Sequence, residues 1–311
     1  MVQFTFEVGI VEILVTFPAS PEDIVDSSQP LDVIEEYLRT LRFAAGGGFG
    51  SDRLKVCGIS IGLDGPYWHG AAVHDQPYPG PFGDMVHPEP LVPWETYLAI
   101  FELAASMGFR IHAEGAGRGS IEIALRAFDR IDRRSPAKDR RHVLEHCEFP
   151  TKKQIAECAR LGIAPTTSTN FIWGKGEEVY KQRLGSEIAG EAIPLRSWLD
   201  GDVPISQSTD WGPHNPFFTV WESIVRHAGL TGEAIGSNQS ISREEALRIF
   251  TYNGAWALGL EKEIGTIEIG KQADLIVVKG DPLTCDLKDL KTLKVDLTMV
   301  AGNIIHSNKP T

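Results

Sequence analysis

The sequence predicts an α/β protein of the (β/α) barrel class, and three observations carry that prediction. Apolar, strand-like runs alternate with amphipathic stretches through the middle of the chain. Three of the runs, 109–112, 141–146 and 203–210, end on His112, His146 and Asp210. The C-terminal strand ends of a parallel barrel form its active face, so polar residues are expected to collect there. After residue 260 the alternation stops and short strands follow, which marks a second region.

Each element has a local justification. Phe4, Phe6 and Val8 alternate, so residues 2–17 read as one strand or two. The stretch LDVIEEYLRTLRFA, 31–44, reads as an amphipathic helix. The glycine-rich 44–50 is read as a flexible connection, because no GxGxxG or GK[ST] accompanies it. Residues 54–63 form an apolar strand that stops at the turn pair Asp64-Gly65. A long loop at 66–92, rich in Pro, Gly and aromatics, carries His69, His74 and His87. Such a loop is either a lid over a site or an insertion packed by its own aromatics.

From there the alternation is regular. Helix 93–107 leads to strand 108–113, and helix 120–133, with Ser120 as its candidate cap, leads to strand 141–147. Helix 151–161 opens on a Thr151/Gln154 capping box and leads to strand 162–168. A helical stretch over 175–200 precedes strand 203–209, and a helix lies within 216–229. The helix from Ser242 has a second capping box with Glu245 and places Ala246, Leu247, Phe250 and Ala257 on one face. Beyond it, GTIEIG and ADLIVVKG read as strands, and DLTMVAGNIIH as a hairpin turning at Ala301-Gly302. The expected organisation is therefore a barrel portion over 1–260 and a β module over 261–311.

Composition narrows the function. Of 311 residues, 42% are hydrophobic and 23% charged, the balance of a globular protein with a sizeable core. A net charge of −12 argues against nucleic acid or anionic membrane as partners and leaves a small molecule as the expected ligand. Cys57, Cys147, Cys158 and Cys285 form no CxxC pair, and reduced thiols in a cytoplasm are the simplest reading. No apolar run approaches the roughly 20 residues of a membrane span. The first residues lack the basic start and small-residue cleavage site of a signal peptide.

The candidate chemistry lies at the strand ends. His112 is followed by Ala-Glu-Gly-Ala-Gly, small residues that leave space beside an imidazole. On the next strand His142, Leu144 and His146 share a face, while Glu145 and Cys147 point the other way. His142 is read as a buried, hydrogen-bonded histidine, and Cys147 as a small core residue. Asp210, in Ser-Thr-Asp-Trp-Gly, is either a turn or cap residue or a carboxylate able to accept and return a proton. Two histidines and an aspartate suit a hydrolytic metal, which lowers the pKa of bound water to about 7. No GxSxG elbow supports a serine hydrolase.

The motifs SREEALRIFTYNGAWALGLEKEIGTIEIGKQADLIVVKGDPL, RHVLEHCEFP, HAEGAG and STDWG together resemble the metal-dependent amidohydrolase superfamily. Within it they resemble the amidohydrolase-3 branch of N-substituted formamide deformylase-like enzymes, over roughly residues 50–308. The resemblance implies a (β/α)8 TIM-type barrel with a small C-terminal β-sandwich portion, and hydrolysis of a non-peptide C–N bond in a small amide or formamide. It implies His112 and His146 as metal ligands, and Asp210 as both ligand and general acid–base, with zinc as the expected divalent ion. The chain departs from the branch at two points. It has no His-x-His pair, and the residues before Leu54 are too few for three βα units, so an N-terminally incomplete barrel is expected. Ser60 stands where the branch carries a carboxylated, metal-bridging lysine, which points to one ion rather than two. The competing expectation is a non-catalytic, degenerate barrel that no longer binds metal. Open strand edges would favour self-association into a homo-oligomer.

Overall fold

The computed structural model describes residues 32, 34–36, 38–39, 50–51, 54–55, 58–134 and 140–308. The strands expected over 2–17, and all but Gly50 of the glycine-rich stretch at 44–50, lie outside the described residues. The described residues of the 31–44 stretch are helical, with Ile34 and Leu38 buried at the i, i+4 spacing of an inward face. The chain divides into two compact units between Ile163 and Ala164. Among the described residues no helix is long and apolar enough to cross a membrane.

The first unit is built on three parallel strands, β1 (Gly58–Gly62), β2 (Arg110–Gly115) and β3 (Val143–His146), paired in that order. Helix α1 (Trp94–Ser106) precedes β2, α2 (Arg118–Asp132) connects β2 to β3, and α3 (Lys152–Leu161) follows β3. Of the strand expected over 54–63, residues 56–57 lie outside the described residues. Leu54–Lys55 pairs antiparallel with Gly50–Ser51, and Gly58–Gly62 is a parallel strand.

The register sorts the side chains onto two faces. Ile59 and Ile61 pair with Ile111 and Ala113, and Ala113 pairs with Leu144, so these buried residues form one apolar row. Phe101 and Phe128 pack together at 5.0 Å from α1 and α2. His142 lies just before β3. Its ring stacks on Phe128 at 5.3 Å, and its Nδ1 accepts the Ile111 amide at 3.0 Å. Burial first, then the nearby Arg140 and Arg110 charges, depress its pKa to about 3. It is the buried, hydrogen-bonded histidine that the sequence suggests. Cys147 is likewise a buried core residue, its thiol held in the protonated form by burial.

Asp64 ties the ends of β1 and β2 together. Its largely buried carboxylate, just past β1, accepts the amides of Val73, Ala116 and Gly117, each at 2.9 Å, and the Ser120 hydroxyl at 2.6 Å. Burial raises its pKa, and these four donors oppose the rise. Ser120 is thus not the cap of its helix. The helix starts at Arg118 with Gly117 at the N-cap, and Ser120 sits in the first turn facing Asp64. A Cβ on Gly117 would lie 1.9 Å from the Val73 carbonyl oxygen. Gly117, among the small residues after His112, therefore admits the close approach of the 66–92 loop.

That loop is packed by its own aromatics. Tyr67 contacts Phe149 at 5.0 Å and Tyr78 at 5.4 Å, and its hydroxyl meets His74 Nδ1 at 2.8 Å. The His87 ring nitrogen donates to the His74 carbonyl at 3.2 Å. Asp75 lies 3.1 Å from His74 Nε2 and 3.7 Å from Arg118, which joins the loop to α2. Of the two sequence-based readings, the self-packed insertion describes this loop.

The second unit contains the parallel pair β4 (Ala164–Thr167) and β5 (Ser206–Gln207). Its main helices are α4 (Asn170–Lys175), α5 (Leu195–Asp200), α6 (Pro216–Val225) and α7 (Arg243–Arg248). The helical stretch expected over 175–200 is broken at Gly185, whose φ of +87° no continuing helix adopts. Asn215 caps α6 through the Phe217 amide at 3.1 Å. Buried Gln207 joins β5 to its surroundings, accepting the Thr169 amide at 3.0 Å and donating to Ser223 on α6 at 2.9 Å. Arg226 is buried and donates to the carbonyls of Ile235, Ile193 and Ala192.

Both expected capping boxes are present, at Thr151/Gln154 and Ser242/Glu245. The inward face after Ser242 differs from the helical expectation. Residues 249–253 form a π-helical turn, and its wider winding brings Ile249 and Ala255 into the core in place of Phe250 and Ala257. In the C-terminal region β6 (Leu275–Val278), β7 (Val295–Val300) and β8 (Asn303–Ser307) form an antiparallel sheet in that order. The hairpin turns at Ala301-Gly302, where both φ values are positive. GTIEIG is not a strand. Gly265 and Gly270 adopt φ +92° and +97°, and Lys271 folds the segment back by donating to the Glu261 carbonyl at 2.7 Å.

Asp64→Ala is expected to lower stability by about 3 kcal/mol, because enclosed donors on three segments lose their acceptor at once. Urea unfolding measures the loss, and limited proteolysis within 66–92 should accelerate in parallel. An unchanged midpoint would contradict the assigned role. For His142 the folded pKa lies below the unfolded value, so the folded state binds fewer protons. Its contribution is present above about pH 6.5 and falls as the pH drops towards 3. Relative to His142→Gln, which can still accept the Ile111 amide, the wild type should lose stability as pH falls through that window. Parallel stability–pH curves for the two proteins would rule this out.

Candidate active site at the C-terminal strand ends

The face of the first unit opposite the apolar row is polar. By register Ser60 pairs with His112, Gly62 with Glu114, His112 with Val143, and Glu114 with Glu145. Ser60, His112, Glu114 and Glu145 thus share one face, towards the C-terminal ends of the strands. Two hydrogen bonds organise them. The Ser60 hydroxyl donates to Glu114 Oε1 at 2.8 Å, and His112 Nδ1 lies 3.0 Å from Glu145 Oε1. His112 is buried, and Glu145 is partly exposed.

His146 closes β3, opposite Gly115. The expected grouping of His142, Leu144 and His146 on one face holds for the first two only. At His146 and Cys147 φ turns to +68° and +47°, so the pleat ends and alternation no longer aims the side chain. Glu145, expected to point away from the site, stands on the same face as His112. Asp210 belongs to the second unit, beyond β5, with φ +48°. It is exposed, and its Oδ1 accepts the following Trp211 amide at 2.6 Å. The helix that follows is capped by Asn215, so Asp210 is a turn residue and not a helix cap.

The donor chemistry around His112 suits a metal ligand, because ligating histidines usually give their other ring nitrogen to a carboxylate or carbonyl. Among the described residues, no group of three or more His, Cys, Asp or Glu side chains is arranged to hold an ion. Sequence reasoning missed Glu114 and Glu145 as site residues and Asp64 as their support. The signal for Glu145 was its register relative to His112, which no single strand displays.

The model of the amidohydrolase family matches residues 19–306. An N-substituted formamide deformylase from Arthrobacter pascens is 32% identical over 201 residues, 64% of this chain and 37% of that protein. A 5-methylthioadenosine/S-adenosylhomocysteine deaminase from Moorella thermoacetica is 30% identical over 238 residues, 73% of this chain and 50% of that protein. The chain thus spans about half or less of the length of these relatives. An uncharacterised metal-dependent hydrolase from Pyrococcus horikoshii shares the fold with a TM-score of 0.69 at 21% identity, covering 83% of this chain and 50% of that one. With the family's model matched across most of its length, this chain belongs to the amidohydrolase family.

Proposed function

We propose that the chain carries the catalytic face of a metal-dependent hydrolase that cleaves the carbon–nitrogen bond of a small amide or formamide. The observation that carries this reading is His112, held by Glu145 at the C-terminal end of a parallel strand inside the family match. Deformylation of an N-substituted formamide and deamination of an adenosine derivative both break a C–N bond, so the relatives' activities agree in reaction type. We assign residues 1–260 to the barrel portion and 261–311 to the β module.

The resemblance to the family, and not a gathered set of side chains, assigns His112 and His146 as ligands of a single divalent ion and Asp210 as ligand and proton carrier, with zinc the expected choice. When bound, such an ion supplies an activated water and polarises a carbonyl. The chain's own residues do the rest. Glu145 fixes the His112 ring, and Ser60 fixes the Glu114 carboxylate beside it. Asp210 is suited to accept a proton from water and deliver it to the leaving nitrogen, since a carboxylate can alternate between acceptor and donor. Water then adds across the C–N bond, its oxygen on carbon and its protons shared between the products.

Purified protein is expected to take up one equivalent of Zn²⁺, and its unfolding temperature should rise with added metal. His112→Ala and His146→Ala should lose that uptake. Asp210→Asn should lower turnover of an N-substituted formamide by about 100-fold or more. Elemental analysis and a deformylation assay measure these effects. A wild-type protein without stoichiometric metal, or variants with unchanged turnover, would sink the enzymatic reading in favour of a non-catalytic barrel.

A further inference from the structure

We propose that Trp211 is a stacking platform that selects substrates carrying a flat, aromatic group beside the bond that is cleaved. The inference rests on the hydrolase reading and deepens it by naming the class of substituent the site takes. Three observations carry it.

The first is a half-open indole on a fixed support. Trp211 is 50% exposed. A single exposed aromatic is ordinary on a protein surface. This one is seated. Its ring stacks on buried Phe171 with centroids 6.3 Å apart and planes 19° from parallel. Near-parallel, offset stacking is a geometry that aromatic pairs prefer. A Cβ on Gly174, three residues after Phe171 in α4, would lie 1.9 Å from Trp211 Cη2, so the indole needs a glycine there.

The second is the clamp on the turn that carries the indole. Buried Asn170 donates through Nδ2 to the Thr209 carbonyl at 2.8 Å and to the Pro213 carbonyl at 3.4 Å. Both ends of the 209–213 turn are thereby held to α4. A Cβ on Gly212 would lie 2.6 Å from Asn170, which shows how closely the two approach. The Asn170 side-chain oxygen in turn accepts the Thr219 hydroxyl of α6 at 3.0 Å. A ligand that stacks here meets a surface already in place, and such preorganisation favours binding.

The third is chemical position. Asp210, the proton carrier of the proposed reaction, precedes Trp211 directly, and its Oδ1 accepts the Trp211 amide at 2.6 Å. A substrate whose leaving nitrogen meets Asp210 has its substituent one residue from the indole. Lys175 Nζ lies over the Phe171 ring at 3.9 Å. That ammonium repels a second cation on the same stack, so a neutral ring suits the platform better than a charged group.

The test uses the full chain with phenethyl alcohol and cyclohexylethanol, two neutral, unreactive probes that share one carbon skeleton. Ligand-observed NMR titration should show the phenyl probe binding the wild type about 3- to 10-fold more tightly, the margin of an aromatic pair over plain apolar contact. Trp211→Leu should lose that preference, and Trp211→Phe should keep most of it. Thermal unfolding of the three proteins shows that the fold is intact. Equal binding of the two probes would overturn the proposal, as would a preference that Trp211→Leu leaves unchanged. A second arm follows hydrolysis of N-phenethylformamide and N-(cyclohexylethyl)formamide by zinc-supplemented protein. The ratio of their kcat/KM values should fall about 3- to 10-fold in Trp211→Leu. If both formamides are hydrolysed and the ratio does not move, the hydrolase reading stands and the platform falls. If the probes bind as expected while neither formamide is hydrolysed, the platform stands and the hydrolase reading fails.

Discussion

The first unit depends on one enclosed carboxylate. Parallel strands cannot be joined by tight turns, so their C-terminal ends are separated in sequence and need a common tether. Asp64 supplies it by accepting donors from the end of β2, the first turn of α2 and the 66–92 loop. Three of the four donors are backbone amides that would otherwise need another acceptor, two of them at the start of α2. Burial of the carboxylate is costly in isolation, and four donors offset that cost. The same contact sets the close approach at Gly117, where even a methyl group would strike the Val73 carbonyl. The Asp-Gly pair that reads in sequence as a turn is, in three dimensions, the point at which the active face is held together.

Charge on that face is arranged by pairing. Glu114 and Glu145 stand opposite each other on adjacent strands, an unfavourable placement unless each finds its own donor. Glu114 takes a hydroxyl from β1, and Glu145 takes an imidazole from β2. The two bonds run in the same sense across the sheet, so no carboxylate is shared. The arrangement that relieves the repulsion also gives the buried His112 ring a carboxylate partner.

Much of this was legible in the chain, and the exceptions have physical causes. The capping boxes at Thr151 and Ser242 are local, reciprocal bonds, and they form as the residues dictate. The hairpin at Ala301-Gly302 is similarly local. Face assignments fared less well wherever the winding changes. The π-helical turn at 249–253 moves Ile249 into the core at the expense of Phe250, and nothing in a helical periodicity announces it. GTIEIG alternates like a strand, but its flanking glycines take positive φ and Ile267 and Ile269 face solvent. At the site, His112 could be read from its strand end. Glu145 could not, because its role exists only once β3 is set in register beside β2.

Backbone strain links the two other candidates to the fold. His146 and Asp210, chosen for their position after apolar runs, both adopt positive φ, where non-glycine residues are uncommon. Such conformations cost of order 1–3 kcal/mol and persist only where surrounding packing enforces them. At His146 the enforcement is visible. The next residue, Cys147, is fully buried, its amide donates to the carbonyls of Gly115 and Glu145, and its thiol donates to the Leu144 carbonyl at 3.3 Å. The chain is thereby bent out of the strand one residue before it would have continued the helix-facing row. Without that bend His146 would follow His142 and Leu144 into the apolar layer, by the period of the strand. The positive φ at His146 is thus where the alternation of β3 stops, beside the strand that carries His112.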